Sequence, residues 1–218
     1  MRYKVCGMTR IEQVYQLSEL GIQFTGFIFY PGSPRYVFKH GLTGADVRKA
    51  KLKSYKIGVF VNASYDEIMK QVDDFGLDMV QLHGHETPFF CDKVSSYIQV
   101  IRAFRFAEGD HVEWMLKDFY DCCDMFMLDT GITLKQDAER FKGRGRMFNW
   151  NRLRGLHVNK PFFLSGGIEP ADVNLVKDFL KQPTAKDLFA VDINSRFEIS
   201  PGIKDIDKIR QFLEEMKQ

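Results

Sequence analysis

A chain of 218 residues is long enough to bury one substantial core and short for two, so a single domain over residues 1–218 is expected. Hydrophobic residues at 44% and charged residues at 28% exclude a disordered chain. A formal net charge of +2 without a block of Lys or Arg gives neither a nucleic acid nor a membrane surface an electrostatic footprint as a partner, and leaves a small anionic ligand open.

Strand-length apolar runs rich in β-branched and aromatic residues alternate with amphipathic stretches along the whole chain. The predicted strands are Tyr3–Gly7, Phe24–Phe29, Lys56–Val61, Met79–His83, Gln99–Phe104, Asp124–Asp129, Pro161–Ser165 and Leu188–Asn194. Between them, apolar residues recur at three- and four-residue spacing in Ile11–Leu20, Tyr65–Phe75, Pro170–Leu180 and Ile206–Met216, which predicts helices. Eight strands each followed by a helix most simply close into a parallel (β/α)8 barrel, the TIM-barrel architecture. The alternative, an open doubly wound sheet, lacks the G-x-G-x-x-G turn after its first strand. The polar stretch Thr130–Asn149 is the one long irregular segment, and reads as a lid or binding loop.

Side chains alternate across a strand, so parity separates the barrel interior from the helix-facing layer. On this basis Lys4 and Cys6 point inward while Tyr3 and Val5 point outward. Gln81 and His83 point inward, with Val80 and Leu82 outward. Met125, Met127 and Asp129 point inward, with Phe126 and Leu128 outward. On the last strand Ala190, Asp192 and Asn194 are expected inside, and Phe189, Val191 and Ile193 against the helices. The inward polar residues gather at strand C-termini, the end at which barrel enzymes carry their chemistry.

No uninterrupted apolar stretch approaches the ~20 residues needed to span a bilayer, and Met1–Arg10 reads as a strand entering a turn rather than a signal peptide, so a cytoplasmic location is expected. Cys6, Cys91, Cys122 and Cys123 are too few and too unevenly placed for a disulfide framework. Cys122 and Cys123 are adjacent and lack the two-residue gap of a redox or zinc pair. His83 and His85 have no third ligand at a familiar spacing, so no metal is expected. A monomer or a homodimer is expected.

Eight segments in order give the chain a specific resemblance. They are Lys-Val-Cys-Gly-Met-Thr at 4–9, Gly-Phe-Ile-Phe at 26–29, Ser-Pro-Arg at 33–35, Gly-Val-Phe-Val-Asn at 58–62, Gln-Leu-His-Gly at 81–84, Leu-Asp-Thr at 128–130, Ser-Gly-Gly-Ile at 165–168 and Val-Asp-Ile-Asn-Ser at 191–195. Over nearly its full length the chain resembles the phosphoribosylanthranilate isomerases. That resemblance implies a cofactor-free Amadori rearrangement of N-(5'-phosphoribosyl)anthranilate in tryptophan biosynthesis, with this phosphosugar-anthranilate as the small-molecule partner. It assigns the general base to Cys6, the general acid to Asp129 and the grip on the anthranilate carboxylate to Arg35. It also implies substrate contacts at Gln81, His83 and Asp192, and a phosphate site at Gly166, Gly167, Asn194, Ser195 and Arg196.

The assigned roles make physical demands. A thiol with pKa near 8.5 is only ~3% ionised at pH 7, so Cys6 needs positive charge or donors nearby, and Lys4 on the same strand face is a candidate. Asp129 must hold a proton near neutrality, which calls for desolvation or neighbouring negative charge. The chain also departs from the family pattern: Asn194-Ser195-Arg196 stands where Ser-Ser-Gly is usual, and Gly143-Arg144-Gly145-Arg146-Met147 replaces Gly-Gly-Thr-Gly-Lys. Arg196 then either strains a turn built for positive φ or adds a cation to the phosphate site.

Overall fold

Apolar runs that would be buried on both faces form a closed ring in the computed structural model. Its strands are β1 (Tyr3–Cys6), β2 (Phe24–Ile28), β3 (Tyr55–Phe60), β4 (Met79–Leu82), β5 (Gln99–Arg105), β6 (Met125–Asp129), β7 (Phe162–Ser165) and β8 (Leu188–Ile193), paired in chain order. All pairs are parallel, and β1 returns to β8 with Lys4 opposite Asp192, which closes the barrel. The structure describes every residue except 107–109, 130–149 and 154, and the side chains of 151 and 152. The expected lid, Thr130–Asn149, therefore lies outside the described residues.

The helices begin where the sequence supplies a cap. Ser64 and Glu67 form a reciprocal capping box at the start of the helix Tyr65–Phe75, which ends on left-handed Gly76. Thr43 with Asp46 does the same for Gly44–Lys49, and Thr87 caps Pro88–Ser95 with proline in its first turn. The expected helix Pro170–Leu180 is in two parts, a 3-10 turn Pro170–Asp172 and an α-helix Val173–Leu180. Ile11–Glu19, Val112–Lys117 and Ile206–Glu215 complete the described α-helices. Among the described residues no helix is long and apolar enough to cross a membrane.

The core is split by strand parity into two layers. Val5, Val80, Leu82, Phe126, Leu128, Val191 and Ile193 pack outward against the helices. Phe24, Ile57, Met79, Ile101, Ala103, Met125, Met127, Phe163 and Ala190 fill the barrel interior. One side chain departs from the expected parity. Phe189 packs with the interior cluster, its ring 5.5 Å from both Phe24 and Phe163, rather than against the helices. The cause is a register shift between β7 and β8, where Phe162 pairs with Leu188 but Phe163 pairs with Ala190. One extra residue on β8 turns Phe189 inward at the N-terminal end, and the alternation resumes at Ala190.

Beyond β8 the chain makes a 3-10 turn, Ser195–Phe197, and a small antiparallel hairpin of β9 (Glu198–Ser200) and β10 (Ile203–Lys204). Alternation did not predict this hairpin. Thr9 Oγ1 donates to Gly202 O at 2.5 Å, and the Gln13 side chain exchanges hydrogen bonds with the Lys204 backbone, so the hairpin is tied to the segment that follows β1.

Candidate active site

The interior changes from apolar to ionisable towards the strand C-termini. Lys4 is fully buried, and its ammonium donates to Asp192 Oδ1 at 2.9 Å, while Ser165 donates to Asp192 Oδ2 at 3.0 Å. Burial alone would lower the lysine's pKa, but Asp192 and then Cys6 more than offset that, and the ammonium is held above its ordinary range. Asp192, expected to touch substrate, thus has both oxygens engaged within the protein, and it anchors the cation that stands beside Cys6.

Cys6 ends β1 with only 4% of its surface exposed. Burial pushes its thiol up from the usual value; Lys4 and Lys204 pull it down, Asp192 pushes it further up, and the net direction is upward. Lys4 does supply the counter-charge expected from the sequence, yet burial outweighs it.

Asp129 ends β6, with His83 Nε2 at 3.4 Å and Arg105 Nε at 3.7 Å, both on Oδ2. The Gln81 amide donates to His83 Nδ1 at 3.0 Å, an arrangement that puts the ring proton on Nε2. Among the described residues Gln81 Oε1 is buried without a hydrogen-bond partner, and His83 Nε2 is buried with only the longer approach to Asp129. Orphaned polar atoms at the open end of a barrel are what a bound polar molecule would satisfy.

The loop that carries His83 is fastened by a network the sequence reading missed. Glu86 accepts from Asn62 N at 2.8 Å and Gly84 N at 2.8 Å, and lies 3.3 Å from buried Arg102, which itself donates to Leu82 O, Ala103 O and Gly84 O. Asn62 takes a positive φ of 53° and accepts from His85 N at 2.7 Å. The signal available was Arg102, a charged residue within the apolar run Val100–Phe104; Glu86, between His85 and Thr87, carried none.

Arg35 lies against the turn after Cys6. Gly7 has φ 78°, and a Cβ there would stand 2.6 Å from Arg35 Cδ, so only glycine admits the arginine. The guanidinium is not open on all sides: Nε donates to Glu198 at 2.9 and 3.0 Å and Nη2 donates to Glu198 Oε2 at 2.6 Å. The same carboxylate accepts from fully buried Lys204 at 2.7 Å, and Lys204 also donates to Asn194 Oδ1 at 2.8 Å. Burial would raise the Glu198 carboxyl, but Arg35 and Lys204 together hold it below the usual range.

The expected phosphate segments meet at the ends of β7 and β8. Gly166 and Gly167 have φ of 118° and 73°, backbone that other residues rarely adopt. Arg196 falls in the 3-10 turn after Asn194, and among the described residues the positive-φ non-glycine positions are Asn62 and Asn159, so the strained-turn reading of Arg196 is overturned. Its Nε is 3.8 Å from Glu169 Oε2 beside the glycine turn.

Residues 3–215 match the family model described as N-(5'phosphoribosyl)anthranilate (PRA) isomerase. The N-(5'-phosphoribosyl)anthranilate isomerase of Parabacteroides distasonis is 34% identical over 217 residues, covering 99% of this chain and 93% of that protein. The Phocaeicola vulgatus relative of the same name is 34% identical over 219 residues, covering 100% of this chain and 98% of its own. Phosphoribosyl anthranilate isomerase from Thermotoga maritima superposes with a TM-score of 0.81 at 30% identity, covering 100% of this chain and 98% of that one. A phosphoribosyl anthranilate isomerase solved with reduced 1-(o-carboxyphenylamino)-1-deoxyribulose 5-phosphate is 29% identical, with a TM-score of 0.73. A closed parallel barrel with an ionisable mouth, matched over nearly its whole length, makes this chain a member of the N-(5'-phosphoribosyl)anthranilate isomerase family.

Proposed function

We propose that this isomerase converts N-(5'-phosphoribosyl)anthranilate into 1-(2-carboxyphenylamino)-1-deoxyribulose 5-phosphate by an Amadori rearrangement, as a step of tryptophan biosynthesis. The observation that carries the reading is the placement of Cys6 and Asp129 at the C-terminal ends of β1 and β6, on one rim of the barrel. Two proton transfers on opposite sides of a sugar need two groups so separated. In the first, Asp129 gives its proton to the ribose ring oxygen, the C1'–O bond breaks, and the anthranilate nitrogen's lone pair forms the C=N bond of a Schiff base. In the second, the Cys6 thiolate removes the C2' proton, and the electron pair moves into a C1'–C2' double bond with neutral nitrogen. The resulting enolamine tautomerises to the ketone.

The remaining groups serve binding. The substrate carboxylate suits the planar guanidinium of Arg35. The phosphate suits the backbone of Gly166–Gly167 and the Asn194–Arg196 turn, where glycines permit close approach of N–H groups. Gln81 Oε1, which has no hydrogen-bond partner among the described residues, gains one when the opened sugar enters, and His83 Nε2 can donate to it as well as to Asp129. The resolving test is to follow loss of the substrate's anthranilate-type fluorescence with purified protein. Enzyme-dependent loss with formation of the carboxyphenylamino ketose is expected. No loss, or turnover only of a phosphosugar without the anthranilate, points instead to another phosphosugar reaction on the same barrel.

A further inference from the structure

Arg35 is the one cation in the mouth assigned to an aromatic carboxylate, and it is already gripped by another carboxylate. Glu198 takes the side-on edge of the guanidinium, Nε and Nη2, at 2.6–3.0 Å. Among the described residues Nη1 makes no hydrogen bond, so the end-on edge, Nη1 with the second Nη2 proton, keeps its donors. A guanidinium has room for two carboxylates on two edges, and fixing one edge aims the other.

Glu198 is itself built in. Only 4% of its side chain is exposed, buried Lys204 donates to Oε1 at 2.7 Å and Gly202 N donates to the same oxygen at 3.0 Å. Lys204 is in turn tied to Asn194, at the end of β8, and its backbone to Gln13. Glu198 engages only one edge of the guanidinium, so it orients Arg35 and leaves the remaining donors for an anion, while burial lowers the neighbouring Lys204 ammonium from its ordinary range.

We propose that Glu198 is a positioning residue for substrate recognition: it holds one edge of Arg35 so that the other meets the anthranilate carboxylate. The inference rests on the reading of Arg35 as the carboxylate's partner. It assigns a specificity role to the hairpin after β8, which neither β1 nor β8 reveals alone.

The test uses the intact enzyme and two inhibitors, the reduced carboxyphenylamino-deoxyribulose phosphate and its phenylamino counterpart lacking the carboxyl group. Glu198→Asp keeps the charge that buried Lys204 needs but shortens the reach to Arg35. It should weaken the carboxylated inhibitor by roughly tenfold, a misplacement cost, and raise KM for substrate more than it lowers kcat. The uncarboxylated inhibitor should change by less than about twofold. In an Arg35→Lys background, where no bidentate edge exists, Glu198→Asp should add less than about twofold for either inhibitor. Glu198→Gln, which keeps shape and loses charge, repeats the test should the aspartate variant melt early. Equal weakening of both inhibitors, or the same loss in both Arg35 backgrounds, overturns the role of Glu198. Equal weakening of both inhibitors by Arg35→Lys alone overturns the reading of Arg35 instead.

Discussion

Cys6 shows how burial and charge compete at one atom. Its thiol is pushed up by desolvation, and Lys4 and Lys204 pull it back only in part. A base that must first ionise from such a value gains activity as pH rises, through and above the ordinary thiol range. Lys4→Met removes the nearer cation and leaves Asp192 facing the thiol, and both changes disfavour the thiolate. The ascending limb of kcat/KM should therefore move to higher pH, with activity at pH 7 falling by about tenfold for each unit of displacement. A profile whose limb stays in place in a folded Lys4→Met protein removes Lys4 from the ionisation of Cys6. The need for a cation near Cys6 was legible in the sequence, because parity alone put Lys4 on the same face. That burial would still win was not, since it depends on how tightly the mouth is packed.

At the scale of elements, strands that alternate cleanly were readable and those that do not were not. Phe189 was placed wrongly because a bulge on β8 costs nothing in the local pattern; it exists only in the pairing with β7. The β9–β10 hairpin, with strands of three and two residues, is too short for periodicity to register, and so the contacts of Glu198 and Lys204 with Arg35 and Asn194 are not legible in the sequence. The loop after β4 presents the same case: the sequence offers His83 as a candidate substrate contact, while the Glu86–Arg102 pair that fixes its loop is visible only in the structure. Glu86→Ala would leave Arg102 buried with its charge uncompensated and free the backbone N–H groups of Asn62 and Gly84. Breaking such a pair from one side costs about 3–5 kcal/mol, and urea unfolding should report a loss of that order. A loss under about 1 kcal/mol would mean that the network is solvated and does not hold the loop.

At the scale of the molecule, the ring of strands was legible because a parallel barrel buries every strand on both sides, which writes eight apolar runs at regular intervals. The same closure brings residues distant in sequence to one rim: Cys6 from β1, Asp129 from β6 and the turn after β8. The assignment of base and acid across that rim is the claim on which the mechanism depends. It is tested most directly by the pH dependence of kcat/KM for Cys6→Ser beside the unaltered enzyme. Serine keeps the shape of the site but has a hydroxyl that does not ionise in the accessible range, so the rate should fall by roughly 10² to 10⁴. The ascending limb should disappear, while the reduced product analogue still binds. Near-normal turnover with the same ascending limb would contradict the account, since some group other than Cys6 would then be removing the C2' proton.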